Sequence, residues 1–323
     1  MQWRRTAQVA GFLLTVVACA FVLREMATVD FGKLVVARPG ATGAVLVVGI
    51  VIYTLLGLLL ATAWWRLVSM LGPGSLRLDV ALAIYAVTQS YKYLPSNLFH
   101  FVGRHAAAAR VGVSHTTLAG AATLEAGFLI VAAGILIACL GPDAVFGLAA
   151  RVGTRWQLIF ASSVAVLLGL AGLAIVTWAL TYRDTLKHSV ARVLSSSVSA
   201  MAMYTVFFVV CGGIVGLLFG VIDGDWSYVS LLHFTGSVSL AWVFGFLVPG
   251  APAGIGIRET IFILTLGEMA GRDTAVVVAA LYRLITLGGD MLCAAAGLIA
   301  WRFAMPTGRR DTRSEGMDSG RTR

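Results

Sequence analysis

The chain has 323 residues, of which 59% are hydrophobic and only 12% charged, and its mean hydropathy is +0.90. A soluble domain of this size is not so apolar, and a transmembrane β-barrel would show short alternating segments in place of long uncharged runs, so the expected class is an all-α polytopic membrane protein. The net charge of +9 does not argue for nucleic-acid binding, because the basic residues are scattered between apolar runs, as positive-inside topology distributes them.

In chain order, the uncharged runs Thr6–Leu23, Gly40–Trp65, Trp156–Tyr182 and Val193–Ile222 each supply about a bilayer's worth of helix or more. Arg4-Arg5 and Val16-Val17-Ala18-Cys19 imitate a secretory leader, but the apolar run continues past Cys19 to Leu23, which predicts a retained first helix. Full crossings are predicted near 6–23, 41–65, 117–140, 157–181, 194–221 and 275–301, six in all. Two segments do not read as simple spans. The first, 78–110, breaks at Tyr91-Lys92-Tyr93-Leu94-Pro95-Ser96-Asn97; the second, 228–268, breaks at Pro249–Gly256. Each is predicted to be a helical hairpin that enters and leaves on one side, either re-entrant or with two spanning arms. Residues 1–305 then form one integral membrane domain, followed by a disordered, basic, cytoplasmic tail over 306–323.

Placing the N-terminus inside puts fifteen Lys and Arg residues on the inner side and six on the outer, which predicts a cell-membrane protein with both termini cytoplasmic. With that topology, helix 41–65, hairpin 78–110 and helix 117–140 form one triplet. Helix 194–221, hairpin 228–268 and helix 275–301 form a second, entered from the opposite side. Inverted triplets whose broken helices meet near the midplane are a transporter design, and the breaks mark the binding site. Helix–Pro/Gly–helix patterns also arise without any such symmetry.

Charge inside the membrane is costly unless it is paired or wet. Lys92, Glu125, Arg258, Glu259, Arg283 and Asp290 are the ionisable residues placed deepest. Arg283 and Asp290, seven apart, share one helix face, and Glu259 and Arg283 are predicted partners. Glu125, Arg283 and Asp290 are assigned to a gating or charge network, against the simpler view that such charges only clip helices together. The four cysteines, Cys19, Cys139, Cys211 and Cys293, lie singly in apolar runs and suggest neither disulfides nor a zinc site.

The breaks carry chemistry of their own. Pro95 disfavours helix immediately before it, so Pro95 or Ser96 can open a new helix with Ser96 or Asn97 as cap. Gly254-Ile255-Gly256 does the same for the second hairpin. Two helix N-termini converging in low dielectric, with Lys92, Arg104 and Arg258 nearby, suit an anionic group such as phosphate. His100 and His105 are candidates to bind a headgroup or relay protons, or simply to bond a neighbouring helix. The candidate substrate-binding set is Lys92, Tyr93, Pro95, Asn97, His100, Arg104, Pro249, Gly254, Gly256, Arg258 and Glu259.

The run Lys92-Tyr93-Leu94-Pro95…His100-Phe101-Val102-Gly103-Arg104, followed by Pro249…Ala253-Gly254-Ile255-Gly256-Ile257-Arg258-Glu259, resembles the membrane domain of bacterial lysylphosphatidylglycerol synthases. That domain also occurs as a stand-alone family of flippase-like proteins. The resemblance spans about 10–303 and implies translocation of a lipid between leaflets. In the synthases a separate soluble domain makes the lipid, and no such domain is expected here. Ser96-Asn97 stands where many relatives carry a glycine pair, so the lipid is not implied: a phospholipid, an aminoacyl-phospholipid or a polyprenyl-phosphate carrier all fit.

Two other classes compete. Asp223-Gly224-Asp225 has the spacing of a metal-binding pair in transferases that use polyprenyl-phosphate sugars, although Asp-Gly-Asp is also ordinary turn chemistry. A non-transporting partner subunit of a lipid-modifying enzyme or glycosyltransferase would use the hairpins structurally. No zinc, Ser-His-Asp or phosphate-loop signature appears, and no catalytic residue, metal or cofactor is expected. The expected partners are membrane lipids, and with them a separate lipid-modifying enzyme or glycosyltransferase.

Overall fold

A computed structural model describes residues 39–72, 76–94, 98–138, 190–223, 228–248 and 252–304, together with the single positions 27 and 172. The helices expected near 6–23 and 157–181, the cysteines Cys19 and Cys139, and the tail 306–323 fall outside the described residues. The described residues hold eight α-helices and two short 3-10 turns, with no strand. These are α1 (Pro39–Leu71), α2 (Leu78–Gln89), a turn at Ser90–Tyr93, α3 (Phe99–Arg110), α4 (His115–Ala138), α5 (Val190–Ile222), α6 (Tyr228–Leu247), a turn at Pro252–Gly254, α7 (Ile257–Ala270) and α8 (Arg272–Ala304).

Four of these helices, α1, α4, α5 and α8, are long and apolar enough to cross a membrane, with mean hydropathies of 2.7, 2.1, 2.6 and 1.6 over their most apolar windows. That fits the membrane protein expected from composition. At about 1.5 Å per residue, the 33 residues of α1 reach beyond a hydrocarbon core of roughly 30 Å. The arms α2 and α3, 12 residues each, are too short to cross alone. Both predicted breaks are present: a 3-10 turn interrupts each hairpin where proline and glycine were expected to stop the helix.

The order long helix, short helix, 3-10 turn, short helix, long helix therefore occurs twice. Packing fixes the relative direction of the copies. Tyr53 of α1 meets Phe207 of α5 at 6.2 Å between ring centroids. Further along α1, Met70 meets Ser197, with Sδ 3.8 Å from Oγ. As α1 advances α5 recedes, so the leading helices of the two copies run antiparallel. Along α8 the sense reverses: Gly49 faces Ile285, Tyr53 faces Gly289 and Gly57 faces Cys293, so α1 and α8 run parallel. Small residues on α1 and α8 let these backbones approach closely, which suits helix association where lipid removes the hydrophobic drive. Cys211 and Cys293 are free and buried.

Trp64, Tyr85, Tyr204, Phe208 and Phe234 are the largest fully buried side chains among the described residues. Val47, Val48, Val51 and Leu55 of α1 and Leu284, Leu287 and Leu298 of α8 are exposed. The long helices are thus apolar on both faces, as helices that meet protein on one side and lipid on the other must be.

A methyl group on Gly212 of α5 would lie 2.6 Å from Thr235 Cα and 2.8 Å from its backbone nitrogen on α6, whereas nothing lies within 4 Å at Gly213. Gly212→Ala should therefore lower stability by about 1–3 kcal/mol, read as a reduced thermal midpoint in detergent. Gly213→Ala should leave that midpoint unchanged or raised.

Candidate functional site

The turn after α2 aims Lys92 and Tyr93 at α8. Lys92 Nζ donates to Asp290 Oδ1 at 2.8 Å, and the Tyr93 hydroxyl donates to Asp290 Oδ2 at 2.6 Å. The Asp290 side chain is only 4% exposed and Lys92 11%, so the pair is shielded from water. Two turns earlier on α8, Arg283 Nη1 donates to the Ala253 carbonyl at 3.3 Å, and Arg283 Nε lies 3.4 Å from Glu259 Oε1. The predicted Glu259–Arg283 contact is present. The shared face predicted for Arg283 and Asp290 is used as well, because the Arg283 guanidinium lies 6.0 Å from the centre of the Tyr93 ring. One helix face of α8 thereby holds both breaks.

At the second break the backbone takes left-handed conformations at Ala253 (φ 50), Gly254 (φ 68) and Gly256 (φ 83). Glycine adopts these without a Cβ penalty, whereas Ala253 bears one. Helix α7 starts at Ile257, and the Gly256 N–H donates to Glu259 Oε2 at 2.7 Å. That is the carboxylate half of a capping box, and an acid in the first turn also suits the helix dipole. The anion at this N-terminus, where an external anionic group was expected, is thus supplied by the chain itself. Helix α3 begins at Phe99 with Leu98 at the cap position and no side-chain cap, later than the expected start at Pro95 or Ser96. Pro95, Ser96, Asn97 and Pro249 lie outside the described residues.

Arg104 does not face a solvated cleft. It is 2% exposed, and Glu125 1%. Arg104 Nη1 donates to both carboxylate oxygens of Glu125, at 2.8 and 2.6 Å. Tyr85 donates its hydroxyl to Glu125 Oε1 at 3.0 Å, and its ring lies 3.6 Å under the guanidinium, a cation–π contact. This pair ties α3 to α4 as Glu259–Arg283 ties α7 to α8, with the charges exchanged.

Between the two breaks lies a cavity of about 60 Å³, room for several waters. Lys92 and His100 come to it from the first hairpin, Ala253 and Arg258 from the second, and Glu125 from α4. Its remaining walls include Tyr53, Tyr85, Gln89, Phe101, Phe207, Trp242 and Phe246, with Trp242 and Phe246 stacked at 5.0 Å. The aromatic walls were not foreseen, because in so apolar a chain a cavity-lining ring and a lipid-facing ring have the same sequence signature. Of the two candidate histidines, only His100 reaches the cavity. His105 pairs with His115 at 2.8 Å near the α3–α4 turn. Asp223 is exposed at the end of α5 with its N–H on the Phe219 carbonyl, and Gly224 and Asp225 fall outside the described residues.

Around this junction Lys92, Arg104, Arg258 and Arg283 face Glu125, Glu259 and Asp290. Three ion pairs form, so four cations against three carboxylates leave one positive charge over. The unmatched residue is Arg258. Among the described residues no carboxylate lies within ion-pair distance of it, and its buried Nε has no hydrogen-bond partner. A partly buried cation without a counterion is costly, and here it lines a cavity.

No protein-family model, curated protein or solved structure matches this chain. Fold and site therefore define the class: among the described residues, an all-helical arrangement, with four helices long and apolar enough to cross a membrane, that encloses a charged, aromatic-walled cavity between two broken hairpins.

Glu125→Ala would leave Arg104 buried and unpaired and should cost about 3–5 kcal/mol, measured as a loss of thermal stability in detergent. The double replacement Arg104→Met with Glu125→Gln removes both charges and keeps an acceptor for Tyr85, so it should recover much of that loss.

Proposed function

We propose that the protein is a lipid translocase of the cell membrane, which passes an amphiphile with an anionic headgroup between leaflets without covalent chemistry. The observation that carries this is Arg258, a cation left over by the internal charge balance and set on the cavity where the two hairpins meet. A monoanionic group such as a phosphodiester would neutralise it. Lys92, which lines the same cavity, is placed to share the headgroup. Arg104, ion-paired with Glu125 through Nη1, acts through structure.

The topology supports this reading. The repeated element order with antiparallel leading helices fits an inverted repeat, whose broken helices form the substrate site in many secondary transporters. Helix α1 also runs antiparallel to α4: Gly72 faces Thr117, while Trp64 and Glu125 both meet Arg104. Helices α4 and α5 then point the same way, as the arrangement of six crossings with both termini cytoplasmic expected from the sequence has them. The resemblance to the flippase-like membrane domain of lysylphosphatidylglycerol synthases points the same way.

The test is a leaflet-resolved assay in proteoliposomes with labelled phospholipids, aminoacyl-phospholipids and polyprenyl-phosphate lipids. At least one class should cross faster than in protein-free vesicles. Losing a charge-assisted contact of about 1.5–3 kcal/mol, Arg258→Ala should slow that class by about tenfold or more. If folded wild-type protein moves none of these lipids, the translocase reading fails.

A further inference from the structure

Arg258 leaves the first turn of α7 and runs back across α6, and two glycines make its path. A Cβ on Gly245 of α6 would lie 2.6 Å from Arg258 Nε, 2.7 Å from its Cγ and 3.2 Å from its Cδ. A Cβ on Gly254 in the turn would lie 2.9 Å from Nε and 2.8 Å from Gly245 Cα. Such distances are well inside carbon van der Waals contact of roughly 3.5–4.0 Å, so the stem of Arg258 occupies the space that any side chain at 245 would need. Gly245 sits inside a helix, where glycine is less favourable than alanine. The position of the arginine supplies a physical reason for it. Hydrogen bonding does not hold the stem, since the buried Nε has no partner among the described residues. Shape does.

We propose that Gly245, with Gly254, is a positioning residue: the slot fixes the stem of Arg258 so that its guanidinium is presented to the cavity in one orientation, as a planar donor fork for two oxygens of an anion. A free arginine would lose considerable rotamer entropy on binding, whereas a slotted one has already lost it. A planar fork also reads a phosphate or carboxylate in a way that a point charge does not. This rests on the anion-binding part of the function proposed above, and adds that orientation as well as charge sets the affinity.

Calorimetric titration of the full chain in detergent with short-chain phosphatidylglycerol, and separately with inorganic phosphate, tests it without requiring transport. A headgroup site binds the lipid more tightly than the free ion, whereas a general phosphate site binds both alike. Gly245→Ala should weaken the tighter ligand about tenfold, the equivalent of one charge-assisted hydrogen bond. In an Arg258→Ala background the same change should do nothing further, because both act through one side chain. Arg258→Lys keeps the charge and loses the fork, and should weaken binding nearly as much as Arg258→Ala. It reads the same point if Gly245→Ala fails to fold. Equal weakening by Gly245→Ala in both backgrounds, full affinity in Arg258→Lys, or no anion binding to the wild type would overturn the proposal. An intact binding cycle in a protein that moves no lipid would sink only the translocase reading.

Discussion

Charge enclosed between apolar helices has to be met by other parts of the same chain, and the described architecture is organised by that requirement. Hydrocarbon solvates neither a broken helix nor a lone side-chain charge. Breaks at Ser90–Tyr93 and Pro252–Gly254 are tolerable because helix α8 reaches both: Asp290 takes Lys92 and Tyr93, while Arg283 takes the Ala253 carbonyl and Glu259. Cutting either link would leave a buried partner uncompensated, which costs more than the pair itself contributes. Helix α8 is therefore the strut on which both hairpins depend.

The two copies solve one problem with opposite signs. Arg104 on α3 reaches Glu125 on α4, and Glu259 on α7 reaches Arg283 on α8. In each copy the second hairpin arm is clipped to the following long helix by a shielded ion pair. The exchange of acid and base changes what surrounds the clip, and the first pair is the closer one, at 2.6 Å against 3.4 Å. Near α3 the arginine is enclosed by the rings of Trp64, Tyr85 and Phe101. Near α7 the carboxylate is turned inward to cap its own helix, and the neighbouring Arg258 has no acid within ion-pair distance among the described residues. The positive excess at the cavity follows from that asymmetry.

Much of the framework was legible in the sequence. The helices predicted at 41–65, 117–140, 194–221 and 275–301 are present as α1, α4, α5 and α8, with a few extra residues at both ends of α1, α5 and α8 and at the start of α4, because an uncharged run of bilayer length has few alternatives to a helix. Proline and glycine located both breaks, and the cost of isolated charge singled out Lys92, Arg258, Glu259, Arg283 and Asp290 before any contact was known. The pairing of Glu259 with Arg283 could be foreseen because both are deep charges of opposite sign, one on the second hairpin and one on the final helix. The aromatic walls could not, since Trp242 and Phe246 lie in a run where every neighbour is apolar too.

What the sequence determined by itself was the class of element, the position of the breaks and the list of charges, all of which follow from local transfer energies and backbone sterics. Which charge meets which was decided only by tertiary structure, because pairing depends on helices distant in the chain, such as Lys92 reaching Asp290. Arg104 shows the consequence: in sequence it is one more cation near a break, and in the fold it is closed off by Glu125. Arg258 shows the converse, left over by the balance and held between Gly245 and Gly254, two glycines whose role exists only once α6 and α7 lie side by side.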